Sequence, residues 1–242
     1  MNVNLKTPLE VLAIIPARGG SKGIKRKNLT PFNDVPLIVN SIRHALNSQL
    51  ITRVLVTTDD EEIRGVAVAA GAEVPFVRPK ELAGDQVLDL PVFEHALNFL
   101  LLNEGYTPRI VVHLRPTAPY REAGWIDEAI LMLLNDSNAD SVRSVSLPDK
   151  HPYRMFSIAK DGYLQSIMEH EHPMPYLLRR QDLPSVYYYN CVIDVTRPQT
   201  IFEKKSMTGE KILAYLMDPE KVIDIDSPRD LEIAKFLFEN KK

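Results

Sequence analysis

Short, unbroken apolar runs alternate along the chain with longer stretches whose apolar residues recur every three or four positions. Residues 11–15 form the first run, closed by Pro16, and read as a strand buried on both faces. Residues 36–45 carry apolar side chains at 37, 38, 39, 42 and 45, which is helical spacing. A second strand is expected over 53–57, ending in Thr58, Asp59 and Asp60, then a helix over 61–70 stopped by Gly71. A third short strand is expected over 73–77 and a helix over 89–103, with Pro91 in its first turn. The β-branched run 109–114 reads as a further strand, and 125–134 as another helix. Continuous apolar strands alternating with helices describe a parallel sheet covered by helices on both faces. Such sheets bind ligands at the carboxyl ends of their strands. The segments to read for chemistry are therefore 17–27, 58–60, Arg78 and 115–121.

Beyond about Asp149 the texture changes. His151-Pro-Tyr-Arg154, Asp161-Gly162 and His172-Pro-Met-Pro175 are turn-rich, and residues 150–185 read as an insertion projecting from a single domain spanning 1–242. Strand-like runs at 186–189 and 192–195 follow, then a return to the main domain by a core strand over 222–226 and a closing amphipathic helix. Ser227-Pro-Arg-Asp230 fits the start of that helix, with a serine cap, proline in the first position and an acid in the third.

Composition narrows the class. Lys and Arg number 29 and Asp and Glu 32, a net charge of −3, which argues against a protein that coats nucleic acid but not against one that binds a single nucleotide. One cysteine, Cys191, excludes an internal disulfide and cysteine-based metal clusters, and a reducing, cytoplasmic setting is expected. The five-residue apolar run near the start is too short for a secretory signal, and no segment is apolar enough to span a bilayer.

Two motifs carry candidate chemistry. After the first strand come Gly19 and Gly20, Ser21, and the cations Arg18, Lys22, Lys25, Arg26 and Lys27. Glycines let backbone N–H groups approach phosphate oxygens while the cations neutralise their charge. The spacing matches neither the Walker loop nor the dinucleotide fingerprint, and a solvated basic loop is the bland alternative. The second motif is Asp224-Ile-Asp226, which on a strand would converge two carboxylates on one point, a geometry suited to Mg²⁺. Its bland alternative is a polar pair on an exposed strand. His44 and His95 read as helix-face residues, His113 as a satisfied buried histidine, and His151, His170 and His172 show no metal-ligand spacing. Cys191 reads as packing.

Ile15-Pro-Ala-Arg-Gly-Gly-Ser-Lys-Gly23 followed by Lys27-Asn28 resembles the nucleotide-binding signature of the acylneuraminate cytidylyltransferases, the CMP-sialic acid synthetase family. Pro36-Leu37, Thr57-Thr58-Asp59, Arg78-Pro-Lys-Glu-Leu82, Arg115-Pro-Thr-Ala-Pro-Tyr-Arg121, Arg180-Gln-Asp-Leu-Pro184, Tyr189-Asn190 and Ile223-Asp-Ile-Asp226 follow in that family's order over nearly the whole chain. The resemblance implies a three-layer α/β/α, Rossmann-like nucleotide-diphospho-sugar transferase fold. It implies that CTP and a 2-keto-3-deoxy acid sugar give a CMP-sugar and pyrophosphate. It implies Arg18 and Lys27 on the triphosphate, Ser21, Asn28 and Arg78 on the nucleotide, and Asp224 and Asp226 on Mg²⁺, with Arg18, Lys27, Asp224 and Asp226 carrying catalysis. Arg115, Arg154, Arg180, Gln181 and Asn190 would meet the sugar, Arg154 and Arg180 from the partner subunit of a homodimer joined by the insertion.

Three positions depart from the family's pattern: Arg115 where glutamine is usual, Cys191 to Asp194 where Gly-Ala-Ile-Tyr is usual, and residues 87–89 in place of small hydroxyl residues. They keep open an enzyme for another acid sugar, such as 3-deoxy-manno-octulosonate, or another nucleotide. A non-catalytic nucleotide-sugar-binding protein is the rival from a different class.

Overall fold

The structure is a computed structural model and describes residues 9–238, so the ends of the expected 1–242 domain lie outside the described residues. Strand β1 (Val11–Pro16) opens the fold, buried from Val11 to Ile15. After it come a short antiparallel ribbon of β2 (Pro31–Phe32) and β3 (Val35–Pro36), then α1 (Leu37–Leu46), β4 (Arg53–Thr57) and α2 (Glu61–Ala69). Helix α3 (Asp89–Glu104), β5 (Ile110–His113), α4 (Trp125–Asn135) and β6 (Ser141–Ser146) follow. A small hairpin of β7 (Phe156–Ile158) and β8 (Leu164–Ser166) lies inside the segment expected as an insertion. The chain closes with β9 (Tyr188–Thr196), α5 (Pro198–Phe202), β10 (Ile212–Leu216) and α6 (Pro228–Phe238).

The main sheet has the order β10-β6-β9-β5-β1-β4. All neighbours are parallel except β9, which runs antiparallel to both β5 and β6. Alternation along β1 shows why the sheet is covered twice. Val11, Ala13 and Ile15 enter a core shared with Ile38, Ile42, Ile63 and Ile130, whereas Leu12 and Ile14 meet Phe93, Leu97 and Ile201 on the other face. The result is the mainly parallel three-layer α/β arrangement expected from the strand–helix alternation. No helix of the described residues is long and apolar enough to cross a membrane.

Four local expectations need correction. The segment 73–77 is not a strand: it makes one parallel bridge, Glu73 to Leu55, because Pro75 has no N–H to continue the ladder. The runs at 186–189 and 192–195 are one strand, β9, whose register on β6 shifts between Arg143 and Val145, with Cys191 on the opposite strand at a left-handed φ of 63°. Strands β6 and β10 have no counterpart among the expected elements, since Ser141-Val-Arg-Ser-Val-Ser146 has only two apolar residues and neither a continuous apolar run nor strict alternation, yet is largely buried. Residues 222–226 are not a core strand. They cross beneath the carboxyl edge, fastened by one backbone bond from Ile225 N–H to the Thr117 carbonyl (2.8 Å) and by burial of Val222 and Ile225. The start of α6 matches expectation: Asp230 accepts from the Ser227 N–H (2.7 Å) and the Ser227 hydroxyl caps the Asp230 N–H in return.

Asp140 fastens β10 to the sheet from the start of β6. Its carboxylate takes the Lys204 ammonium and the N–H groups of Lys211 and Glu210, in that order of effect, and they hold it down at about 2 from an ordinary 3.8. A depressed carboxyl stabilises the fold fully above its unfolded value and loses that contribution as pH falls through its folded one. Asp140→Asn is therefore expected to destabilise the protein by about 1–3 kcal/mol near neutrality. In chemical denaturation the gap from the parent should close between about pH 4 and pH 2. A gap that stays constant over that window would show the charge to be irrelevant.

Candidate active site

The parallel pairing of β1 with β4 sets Pro16 beside Thr57, so the loop leaving β1 emerges against residues 58–60. That neighbourhood shapes the glycine-rich loop. The Gly19 N–H donates to the Asp59 carboxylate (2.9 Å), and a Cβ at Gly19 would fall 2.7 Å from Asp60. At Gly23 a Cβ would fall 2.3 Å from the Asp226 carbonyl, so the glycine admits the crossing segment. Only Gly20 stands in open space. The loop's glycines thus serve close approach of the protein to itself as much as a ligand, which amends the expectation of a phosphate cradle made by all of them.

The five cations of the loop have different fates. Arg26 is consumed by Asp60, the cap of α2, and by Glu62, and Lys25 projects into solvent. Arg18 pairs with Asp85 (2.7 Å), which also takes Lys22, the stronger of the two influences that hold the Asp85 carboxyl low. Lys27 reaches across the molecule to the Ile225 carbonyl (3.0 Å) and the Asp226 carboxylate (2.9 Å). Asn28 is buried and donates to the Arg18 carbonyl (2.9 Å), bracing the loop.

A cleft of about 400 Å³ opens over the carboxyl edge between this loop and α3. Of the residues expected in the site, Arg18, Ser21, Lys27, Asn28, Arg78, Arg115 and Asp226 line it. Arg78 enters from the β4 side, donates to the Thr57 hydroxyl (3.1 Å) and carbonyl, and is brought down by burial to about 10. Arg115 stands on the β9 side between Asp89 (2.8 Å) and Asp194 (2.6 Å). Burial works against its charge, but Asp194, Tyr189 and Asp89 outweigh burial and hold its pKa above the ordinary value.

The other expected residues lie elsewhere. Arg154, Arg180 and Gln181 are on the exposed insertion, Arg154 donating to the Leu178 carbonyl and Arg180 to the Pro148 carbonyl. Asn190 is buried outside the cleft. Its amide donates to the Ser146 hydroxyl (2.9 Å) and its carbonyl takes the Ser144 hydroxyl (2.6 Å) and the Val192 N–H, so it braces the irregular stretch of β9 rather than walling a sugar pocket. Because 222–226 is no strand, the argument that Asp224 and Asp226 share a face lapses. Asp226 reaches the cleft, while Asp224 lies beneath, beside Cys191, with its Oδ1 buried and lacking a hydrogen-bond partner. Burial, then Asp224, push the Cys191 thiol up to about 12, which keeps it protonated.

His113 is not the satisfied core histidine expected. It is buried at the cleft with both ring nitrogens unpaired, and burial followed by Arg115, Arg143 and Arg121 push its pKa well down, so the ring is neutral. His151 has a bracing role, its ring nitrogens meeting the Tyr153 N–H (3.2 Å) and the Pro184 carbonyl (2.9 Å) at the base of the insertion. No group of three or more His, Cys, Asp or Glu side chains suited to a metal occurs among the described residues. The sequence marks Asp59 after β4 but not Asp85. Five cations in one loop demand nearby acids, and that demand was the signal available for Asp85.

A cation-lined cleft at the carboxyl edge of a mainly parallel sheet stands where such folds bind their ligands. The cytidylyltransferase family model matches residues 12–209, and the chain belongs to that family. It is 31% identical to the post-translational flagellin modification protein B of Campylobacter coli, over 96% of each chain. It is 32% identical to the N-acylneuraminate cytidylyltransferase of Escherichia coli O18:K1:H7 over 96% of this chain, which corresponds to 53% of that longer protein. Among solved structures, the CMP:2-keto-3-deoxy-manno-octonic acid synthetase complexed with CTP shares the fold with a TM-score of 0.70 at 14% identity, covering 96% of this chain and 100% of that one.

The loop geometry separates two neighbouring lysines. Lys27→Ala removes a half-buried ammonium that joins the loop to Asp226 beside the cleft, whereas Lys25→Ala removes an exposed one with no partner. Turnover is expected to fall about 10²–10³-fold in the first, the scale for one lost charge-stabilising donor, and less than about twofold in the second. Equal, mild effects in steady-state kinetics would return the loop to a solvated basic segment.

Proposed function

We propose that the protein is a Mg²⁺-dependent cytidylyltransferase that activates a nonulosonic, sialic-acid-like sugar with CTP. The anomeric hydroxyl oxygen attacks the α-phosphorus, the bridge to the β-phosphate breaks, and pyrophosphate leaves as the hydroxyl loses its proton. The observation that carries this reading is the cleft in which Arg18, Lys22 and Lys27 gather on one side while Arg78 stands on the β4 side. Arg18 and Lys27 are placed to neutralise the charge that grows on the phosphates, which is the main demand of this chemistry on the protein. Similarity to an N-acylneuraminate cytidylyltransferase supports the sugar class, and likeness to a CTP complex supports the nucleotide.

A magnesium ion would draw on the two carboxylates of the crossing segment. Asp224 Oδ1 is a buried carboxylate oxygen with no donor, and Asp226 offers the oxygen that Lys27 leaves free. Hard carboxylate oxygens, few in number, suit Mg²⁺, which fills its remaining positions with phosphate and water. When bound, the ion would supply charge neutralisation on the phosphate oxygens.

The insertion supports a homodimer with shared sites. It exposes Ile158, Tyr163, Leu164, Ile167 and Leu177, each more than half accessible, on a segment too short to bury a core of its own. Closed two-fold pairing is the commonest way to cover such an arm. Arg154 and Arg180 then face a partner's cleft, where a guanidinium suits the sugar carboxylate.

Pyrophosphate release is the direct test, crossing four nucleoside triphosphates with N-acylneuraminate, 2-keto-3-deoxy-manno-octonic acid and other acylamino-bearing nine-carbon keto acids. Release is expected only with CTP plus a nonulosonic acid, lost on chelation and restored by Mg²⁺. Asp226→Asn should cut it by orders of magnitude and should also abolish any Mg²⁺-induced rise in melting temperature. Release with another nucleotide alone, or parental turnover in Asp226→Asn, would defeat the corresponding assignment.

Sharing of sites is tested by mixing two inactive proteins. Lys27→Ala and Arg180→Ala subunits are expected to regain activity on exchange, because a heterodimer rebuilds one complete site. Demonstrated exchange without recovery, or full activity in a monomer, would rule the shared site out.

A further inference from the structure

On the sheet face that packs against α3, a polar row interrupts the hydrophobic layer. His113 of β5, Asp194 of β9 and Arg143 of β6 are register partners across three adjacent strands, so their side chains stand side by side. Arg115, two residues beyond His113, donates to Asp194 and to Asp89, the first residue of α3. The Tyr189 hydroxyl donates to Asp194 and accepts from Arg115, and the Arg143 guanidinium lies 4.5 Å from the centre of the Tyr189 ring. Two arginines balance two aspartates, and the neutral His113 adds nothing, so the network carries no net charge.

Three features give the network a ligand-directed reading. First, Arg115 and His113 both approach Asp89 through the same oxygen, Oδ2 (2.8 and 3.9 Å), which leaves Oδ1 without a donor among the described residues on a side chain that is 41% exposed at the cleft. Second, buried atoms without partners concentrate here: both His113 nitrogens, Asp194 Oδ1 and Arg143 Nε. Protein interiors pair such groups with protein or with buried water, so this row is less tightly tied than a fully bonded one and its charge balance responds to what sits at Asp89. Third, Arg115, Asp194 and Arg143 stand on the β5–β9 side of the cleft, with the cationic loop of β1 between them and Arg78, and Asp89 bridges the two sides near enough to act on the Arg78 charge. If phosphates occupy the loop and the base lies towards Arg78, the β5–β9 end receives the acceptor.

We propose that the Asp89–Arg115–Asp194 network selects the acceptor sugar: Arg115 is a positioning residue that aims Asp89, whose free oxygen accepts a hydroxyl or amide N–H from a neutral, donor-rich part of the sugar. This rests on the proposed cytidylyltransferase reading and narrows it. Arg115 does not hold the sugar carboxylate, because its charge is already matched by two carboxylates. The substrate's own carboxylate is instead kept out of this end by Asp89. The three sites of departure noted in the sequence, at 87–89, 115 and 191–194, thereby meet in one interacting unit.

The test compares acceptors in the pyrophosphate-release assay with Asp89→Asn, Arg115→Gln and the triple replacement Asp89→Ser/Arg115→Gln/Asp194→Tyr. Asp89→Asn and Arg115→Gln should each raise the acceptor KM about tenfold or more with the CTP KM within about twofold, the scale of a lost polar contact. Arg115→Gln alone leaves Asp194 buried beside less positive charge and should melt lower than the triple variant. The triple variant should fold and reorder the preference among the acceptors by at least about tenfold. An unchanged acceptor profile in folded variants, or a CTP KM that moves as much as the acceptor's, would make the network purely structural and overturn the proposal. A parent protein that turns over no acceptor would instead strike down the cytidylyltransferase reading, and this inference with it.

Discussion

The ammonium of Lys27 holds together parts of the chain that lie 198 and 199 residues apart, taking the Ile225 carbonyl and the Asp226 carboxylate at once. Without a strand to fix residues 222–226, that contact, the single Ile225–Thr117 backbone bond and the approach allowed by Gly23 keep the crossing segment under the β1 loop. The same contact brings an acidic residue to the cationic end of the cleft. Fold closure and site assembly are therefore one event. A charge-assisted hydrogen bond between a half-buried lysine and an exposed carboxylate is individually modest, so the segment's position also leans on burial of Ile225 against Phe32, Leu37 and Leu231.

Around this tie the cleft distributes charge in opposed zones. The β1 loop would be an uncompensated cluster of cations, and Asp59, Asp60, Asp85 and Asp226 answer it from three different segments. Asp85 and Asp226 differ from the other two in lining the cleft, where an anionic ligand would compete for the same cations. Asp60 and Glu62 hold Arg26 outside that exchange, which makes Arg26 part of the frame. At the β9 end, by contrast, Asp194 is buried and surrounded by two arginines, a tyrosine and a histidine, an arrangement tolerable only because the charges balance within a few ångströms.

The parts legible in the sequence are those where one local rule decides. Buried strands 11–15 and 53–57, the helices with a clear apolar face, and the Ser227–Asp230 cap all follow from periodicity or capping chemistry. The loop's place at the cleft was legible because it leaves a buried strand at the carboxyl edge, although only some of its five cations line that cleft. What was not legible depends on partners distant in the chain. Strand β6 is mostly serine and arginine with only two valines, yet its serines are buried, Ser144 and Ser146 because Asn190 and Met217 of other segments satisfy them. Asp224-Ile-Asp226 looks like a strand because its apolar neighbours are buried, but the burial is against α6 and the loop after β5, with no neighbouring ladder. His113 looked like a core histidine because its strand is core, and only the cross-strand register exposes its unpaired nitrogens.

Satisfaction of Asn190 and dissatisfaction of Asp194 make a final physical point about where specificity can reside. Both side chains come from the same irregular strand, four residues apart, and both are buried. Asn190 has its amide and carbonyl filled by two serines and a backbone N–H, so it is rigid and has little left to offer a ligand. Asp194 keeps one oxygen without a donor and transmits its charge through Arg115 to Asp89 at the cleft surface. A filled polar group defines the fold, whereas an unfilled one linked to the surface defines what the fold will accept. The left-handed turn at Cys191 lies between the two residues, at the shift in the strand's pairing with β6.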